Sequence, residues 1–139
     1  MTTFAGLKRW ADRLAPFAAV VLRIGVGWVF LRHGIAKLGM GVDGVAGFFG
    51  GLGLPAPHVS AVIIMIVETI GAGCVLLGAL TRFWAALMVV DMVVAITVAV
   101  MPTGRAWELE GLLLVGAVAL IGLGDGPVSL AQLGRKGAR

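Results

Sequence analysis

The sequence predicts an all-α integral membrane protein, a four-helix bundle with a short interfacial helix or loop between helices 1 and 2. The first observation is composition: 60% of the 139 residues are hydrophobic and 13% are charged, against about 25% charged residues in an average soluble domain. Mean hydropathy is +1.05. The second observation is four apolar stretches, each near the ~20 residues that a helix needs to cross a ~30 Å hydrocarbon core. We expect one domain, residues 1–139.

The four spans are predicted over residues 16–38, 57–80, 82–101 and 107–123. Only Thr81 separates the second from the third, which predicts a tight antiparallel hairpin. Pro102 and Gly104 interrupt the chain before the fourth, because proline ends a helix at its predecessor and glycine favours a turn. The fourth span is the shortest and lies at the lower limit for crossing a bilayer.

The connector between the first two spans, residues 39–55, is rich in glycine. Its apolar residues recur three or four positions apart: Val42, Val45, Phe48, Phe49 and Leu52. This spacing favours a short amphipathic helix at or within the membrane interface. A flexible glycine-rich loop is the alternative.

Positive charge flanks the spans. Three basic residues precede the first span and three follow the last: Lys8, Arg9 and Arg13, then Arg135, Lys136 and Arg139. Basic flanks of an even number of spans predict that both termini are cytoplasmic. We therefore expect these residues to contact anionic lipid headgroups, and we expect no nucleic-acid partner despite the net charge of +4.

Glu68 lies near the middle of the second apolar stretch, which has no other charge. An ionised carboxylate there costs about 2.5 kcal/mol or more on insertion scales, so such residues usually pair with a cation or have a function. Glu68 is therefore the candidate catalytic residue, because a carboxyl group at this depth could carry protons or hydrogen-bond a quinone.

Other charged residues predict a polar interior. On a helical wheel, Arg23 and Lys37 share a glycine-lined face of the first span, while Arg32 lies on the opposite side. At ~1.5 Å per residue, Arg23 and Asp91 lie at compatible depths, with Glu68 slightly deeper. We expect these three to form an inner cluster, either as a functional site or only to fix helix register. A second, outer layer is expected to contain Arg32, His33, Lys37, His58, Glu108 and Glu110.

Metal and thiol chemistry have little support. His33 and His58 could ligate a haem or metal with Glu108, but their spacing matches no metal motif, so we expect no metal. Cys74 is the only cysteine, which excludes an intramolecular disulfide and a thiol relay within this chain. No phosphate-binding loop follows a strand and no nucleophile constellation emerges.

Four segments together resemble the DoxX family of small four-helix bacterial membrane proteins: residues 22–38, 51–57, 68–85 and 124–133. The signatures are Arg23, His33, Gly34 and Lys37, then Glu68, Gly71, Gly78, Thr81 and Arg82. Ala131 stands where the family usually has an acidic residue.

The resemblance implies a multi-pass protein of the bacterial inner membrane that is associated with respiratory or oxidative-stress redox systems. We expect a membrane subunit that docks a protein partner in a redox complex, as a homo- or hetero-oligomer, and offers a quinone or proton site around Glu68. A scaffold or anchor subunit without chemistry of its own, or a conduit for protons or small solutes, are the alternatives.

Overall fold

A computed structural model describes residues 2–137 of the chain, with side chains from 6 to 134. Within this part the structure is helical and contains no strand. The α-helices are α1 (Thr2–Leu14), α2 (Ala18–Gly51), α3 (Pro57–Ile66), α4 (Ala72–Leu77), α5 (Thr81–Val94), α6 (Glu108–Leu123) and α7 (Leu130–Gly137). The predicted all-α fold is confirmed.

Three helical segments are long and apolar enough to cross a membrane: Gly6–Gly51, Pro57–Leu77 and Thr81–Thr103. The helix at the predicted fourth span, α6, begins and ends within a residue of the expected bounds but has only 16 residues. This is slightly short of the ~17 residues at the lower limit for a span. The number of spans and the side of the membrane on which the termini lie therefore stay predictions.

The connector after the first span is helical. The α2 helix continues to Gly51 across a kink at Gly41, where φ is 73° and ψ is 165°. After the kink, Val45, Ala46 and Phe49 are buried, and they pack against Ala61 and Met65 of α3. Of the two alternatives for this connector, the helix is the one observed, with its apolar face turned onto α3.

Each of the two middle spans contains a π-helical turn. Val67–Gly71 connects α3 to α4, and Ala95–Val100 follows α5. Residues 78–80 make the tight connection from α4 to α5, with Gly78 and Leu80 both in the left-handed conformation. The main core lies between α2, α4, α5 and α6, where Phe30, Val75, Met88 and Leu120 are almost fully buried.

Candidate functional site

Glu68 lies in the π-helical turn Val67–Gly71 and is 3% exposed. A π turn inserts an extra residue into a helical turn, which changes the direction in which the following side chains point, and such turns are frequent at functional sites. The sequence predicted a buried Glu68, but no pattern in it indicated this turn.

The α2 helix approaches the Glu68 turn very closely because Gly34 has no side chain. A Cβ atom at Gly34 would lie 2.5 Å from the backbone oxygen of Glu68. One helical turn further along α2, Lys37 Nζ reaches Glu68 Oε2 at 2.5 Å. The Lys37 side chain is 21% exposed and that of Glu68 is 4% exposed, so this is a largely buried ion pair.

Asp91 extends this pair from α5. Its side chain is buried and interacts electrostatically with both Glu68 and Lys37. Asp91 Oδ2 is buried and meets no hydrogen-bond partner at full geometric criteria among the described residues, although the Glu68 carboxyl group is close enough to share a hydrogen bond with the Asp91 carboxyl group. Buried polar side-chain atoms are nearly always hydrogen-bonded, so one without a full partner calls for an explanation, such as a bound water, an ion or a catalytic role. We call these three residues the Lys37–Glu68–Asp91 cluster.

The cluster lies on the wall of a cavity of about 120 Å³, the inner cavity. Apart from the cluster, His33 and Glu110, its lining is apolar, with three aromatic rings from Phe30, Phe48 and Phe49. The two phenylalanines after the kink belong to the helical connector. The other walls come from α2, α3, α5, α6, Leu54 and the two π turns. The arrangement places a few charged groups at one side of a cavity that is otherwise apolar, as in many small-molecule sites.

Arg23 does not join this cluster, so the predicted pairing of Arg23 with Asp91 is wrong. Its buried guanidinium donates hydrogen bonds to four backbone carbonyls: Val75 and Leu76 at the end of α4, and Asp125 and Val128 before α7. Five donors in a planar fork suit Arg to this role, because the last carbonyls of a helix lack partners within it.

Asp125 and Gly78 also make close contacts in the region of the Arg23 guanidinium. Asp125 Oδ1 accepts a hydrogen bond of 2.9 Å from the backbone N–H of Thr81, at the N-terminus of α5. Gly78 has a φ of 71°, and a Cβ atom there would lie 2.6 Å from the Arg23 guanidinium. The signature residues Arg23, Gly78 and Thr81 therefore hold the hairpin and the C-terminal segment together, away from the cavity.

The remaining predicted site residues are dispersed. His33 is exposed but lines the cavity, whereas Glu108 is exposed and lies outside its lining, which takes the half-buried Glu110 instead. His58 Nε2 lies 3.4 Å from Asp43 Oδ1, with both side chains exposed. Across the described residues, no three His, Cys, Asp or Glu side chains are grouped so that they could hold a metal ion.

The Lys37–Glu68 pair was missed because depth was counted along straight helices. That count placed Lys37 in the outer layer and Glu68 near the midplane. Lys37 nevertheless reaches Glu68, because α2 approaches the Glu68 turn closely at Gly34 and because the lysine side chain is long and flexible. The signal available in the sequence was Gly34 on the same helical face as Lys37, since a glycine in a span indicates a close contact between helices.

These features define a class: a helical membrane protein with a charged cluster buried between its apolar segments. The family model DoxX matches residues 18–101, more than half of the chain, and the chain belongs to the DoxX family. The resemblance noted from the sequence signatures is thus confirmed.

Two curated relatives share this region. The chain is 34% identical over 74 residues to the inner membrane protein YphA of Escherichia coli, covering 53% of this chain and 52% of the relative. It is 35% identical over 77 residues to the putative oxidoreductase CatD of Bacillus subtilis, covering 55% of each. The chain thus matches about half the length of these relatives. No solved structure matches the chain.

Proposed function

We propose that this protein is a membrane subunit of a respiratory or oxidative-stress redox system, and that the Lys37–Glu68–Asp91 cluster binds a quinone or quinol headgroup and holds a proton. The single observation that supports this most strongly is the grouping of Asp91 with the Lys37–Glu68 ion pair on one wall of a cavity whose lining is otherwise largely apolar.

The size and lining of the inner cavity suit one six-membered ring. An apolar cavity of about 150 Å³ in another protein holds benzene. The inner cavity has about 120 Å³, and the Lys37–Glu68–Asp91 cluster forms part of its wall. Phe30, Phe48 and Phe49 provide aromatic surface for a ring to pack against.

The polar groups suit the two oxygens of such a ring. The Lys37 ammonium is a donor for a carbonyl oxygen, and the Asp91 carboxylate is an acceptor for a hydroxyl group. Two carboxyl groups beside one ammonium can also hold one proton between them, because two adjacent carboxylates repel each other when both are charged. The chain thereby supplies binding, orientation and a proton at Glu68 or Asp91.

The link to a redox system is supported by the name of one relative, putative oxidoreductase, which describes a protein matched over about half its length. We propose that a separate redox protein docks on this subunit and that the inner membrane is where they meet. Pull-down from membranes, followed by mass spectrometry, tests the partner; recovery of a redox protein at fixed stoichiometry is the expected result.

The headgroup site is tested by titrating a ring-only benzoquinone and its quinol into the protein in lipid nanodiscs. We expect Asp91→Asn to weaken binding of the quinol by roughly 10-fold or more, since a hydrogen bond to a charged group contributes about 1.5–3 kcal/mol. Asp43→Asn is the matched control, because Asp43 is 99% exposed and lies outside the cavity lining. Absence of saturable binding to the unmodified protein would leave a scaffold as the better description.

A further inference from the structure

A second cavity, of about 190 Å³, lies against the first and shares part of its wall. We call it the outer cavity. Four residues line both cavities: Leu54, Ile64, Asp91 and Val94. Asp91 is therefore the one charged residue that lines both cavities.

The outer cavity opens on the apolar surface of the bundle. Its walls come mainly from α3 and α5, with Leu54 and Val67, and two of its residues, Ile63 and Val90, are more than half exposed. Both helices belong to segments that are apolar enough to cross a membrane. The opening between them therefore faces hydrocarbon when the bundle is embedded in a bilayer.

The lining of the outer cavity offers no polar recognition other than Asp91. All remaining side chains are aliphatic except Ser60, and the Ser60 hydroxyl already donates a hydrogen bond of 2.9 Å to the Pro55 carbonyl. A hydrocarbon chain can fill such a space without leaving a buried polar group unsatisfied.

We propose that the outer cavity holds the first units of a long isoprenoid tail whose ring occupies the inner cavity, so that the ligand enters from the bilayer between α3 and α5. This rests on the proposed headgroup site and defines its ligand class as a long-chain quinone. The shared wall at Asp91 carries the proposal, because a tail attached to a ring beside Asp91 meets the outer cavity immediately. An ordinary lipid chain filling the space is the competing occupant.

The test compares a ring-only benzoquinone with the same ring carrying a ten-carbon tail. Val90→Trp fills the outer cavity from its exposed rim, and Val93→Trp is the matched control, since Val93 is also exposed on α5 but lines neither cavity. Binding is measured in nanodiscs by equilibrium titration. The ligand concentration is expressed as its mole fraction in the lipid, so that partitioning of the tail into the bilayer is not counted as binding.

We expect Val90→Trp to weaken binding of the tailed quinone by roughly 10-fold, through steric blockage, and to leave the ring-only quinone within about twofold of the unmodified protein. Leu87→Phe, on the same wall, is the second variant and should act in the same direction. Equal effects on both ligands, or none on either, would overturn the tail site while leaving the headgroup site standing. Failure of both ligands to bind the unmodified protein would overturn both, and the outer cavity would then be a lipid-filled groove.

Discussion

Lys37 and Glu68 form a largely buried ion pair, in which each charge compensates the other. Removing one partner of a buried pair costs about 3–5 kcal/mol, because the other charge stays buried without compensation. We expect Lys37→Met and Glu68→Met each to lower the stability of the bundle in detergent, with the larger loss for Lys37→Met. Lys37→Met leaves the buried Glu68 beside the like charge of Asp91, whereas Glu68→Met leaves Lys37, which is partly exposed and still has Asp91 beside it.

The double variant Lys37→Met/Glu68→Met is the decisive member of this set. Because it removes both charges, its loss of stability should be smaller than the sum of the two single losses. Unfolding curves in one detergent at one pH give the three values. Simple addition of the single effects would mean that the two residues do not interact in the folded bundle.

Arg23 acts on the far side of the bundle from the cavity. Arg23→Lys should loosen the C-terminal segment, because one ammonium cannot reach carbonyls on both α4 and the segment before α7. Limited proteolysis followed by mass spectrometry should show faster cleavage after residue 124. Arg32→Lys is the control, since Arg32 is exposed on the same helix; equal cleavage rates in the two variants would contradict this role.

At the scale of the helix, the site depends on the close contact between α2 and the Glu68 turn. Gly34→Ala places a methyl group 2.5 Å from a backbone oxygen that cannot rotate away, so the two segments must separate. We expect a fall in melting temperature and weaker binding of the ring-only benzoquinone. Gly25→Ala, on the same helix, has no atom within 4 Å of the added carbon and should change neither property.

Much of the helical architecture could be predicted from the sequence, and the reason is the strength of the apolar pattern. The bounds of α6 and the start of α3 were predicted to within a residue, since proline and charged residues mark them. The π turns could not be predicted, because residues 67–71 and 95–100 have no composition that distinguishes them from an α-helix. For the same reason, the direction in which the Glu68 side chain points could not be predicted.

The candidate site was predicted in part. Glu68 and Asp91 were expected to lie together, and they do. The cation beside them was expected to be Arg23 but is Lys37. Arg23 instead donates a hydrogen bond to the backbone carbonyl of Val128, more than 100 residues away in the sequence. The pattern of neighbouring residues in the sequence cannot indicate a contact between residues so far apart.

At the scale of the molecule, the topology stays a prediction. Both termini are expected on the cytoplasmic side, and the basic, amphipathic α1 is expected at the adjacent membrane surface, with its exposed Leu7, Trp10 and Leu14 in the lipid interface. Cysteine accessibility scanning on a Cys74→Ala background measures this. Labelling of a cysteine near residue 6 only from the periplasmic side would contradict the predicted orientation.

The central claim is that the carboxyl group of Glu68 has a function beyond holding Lys37. Glu68→Gln separates the two roles, because glutamine keeps the size and can accept a hydrogen bond from Lys37 but cannot ionise. The most direct measurement is quinol binding to this variant in nanodiscs, beside its melting temperature. We predict a smaller fall in melting temperature than for Glu68→Met, because the hydrogen bond from Lys37 is kept and Asp91 remains beside its charge. We also predict a loss of quinol affinity of roughly 10-fold or more, because the carboxyl group that shares a proton with Asp91 is gone. Unchanged affinity, or a loss of affinity that follows a loss of folding, would contradict the account and leave Glu68 as a partner for Lys37 alone.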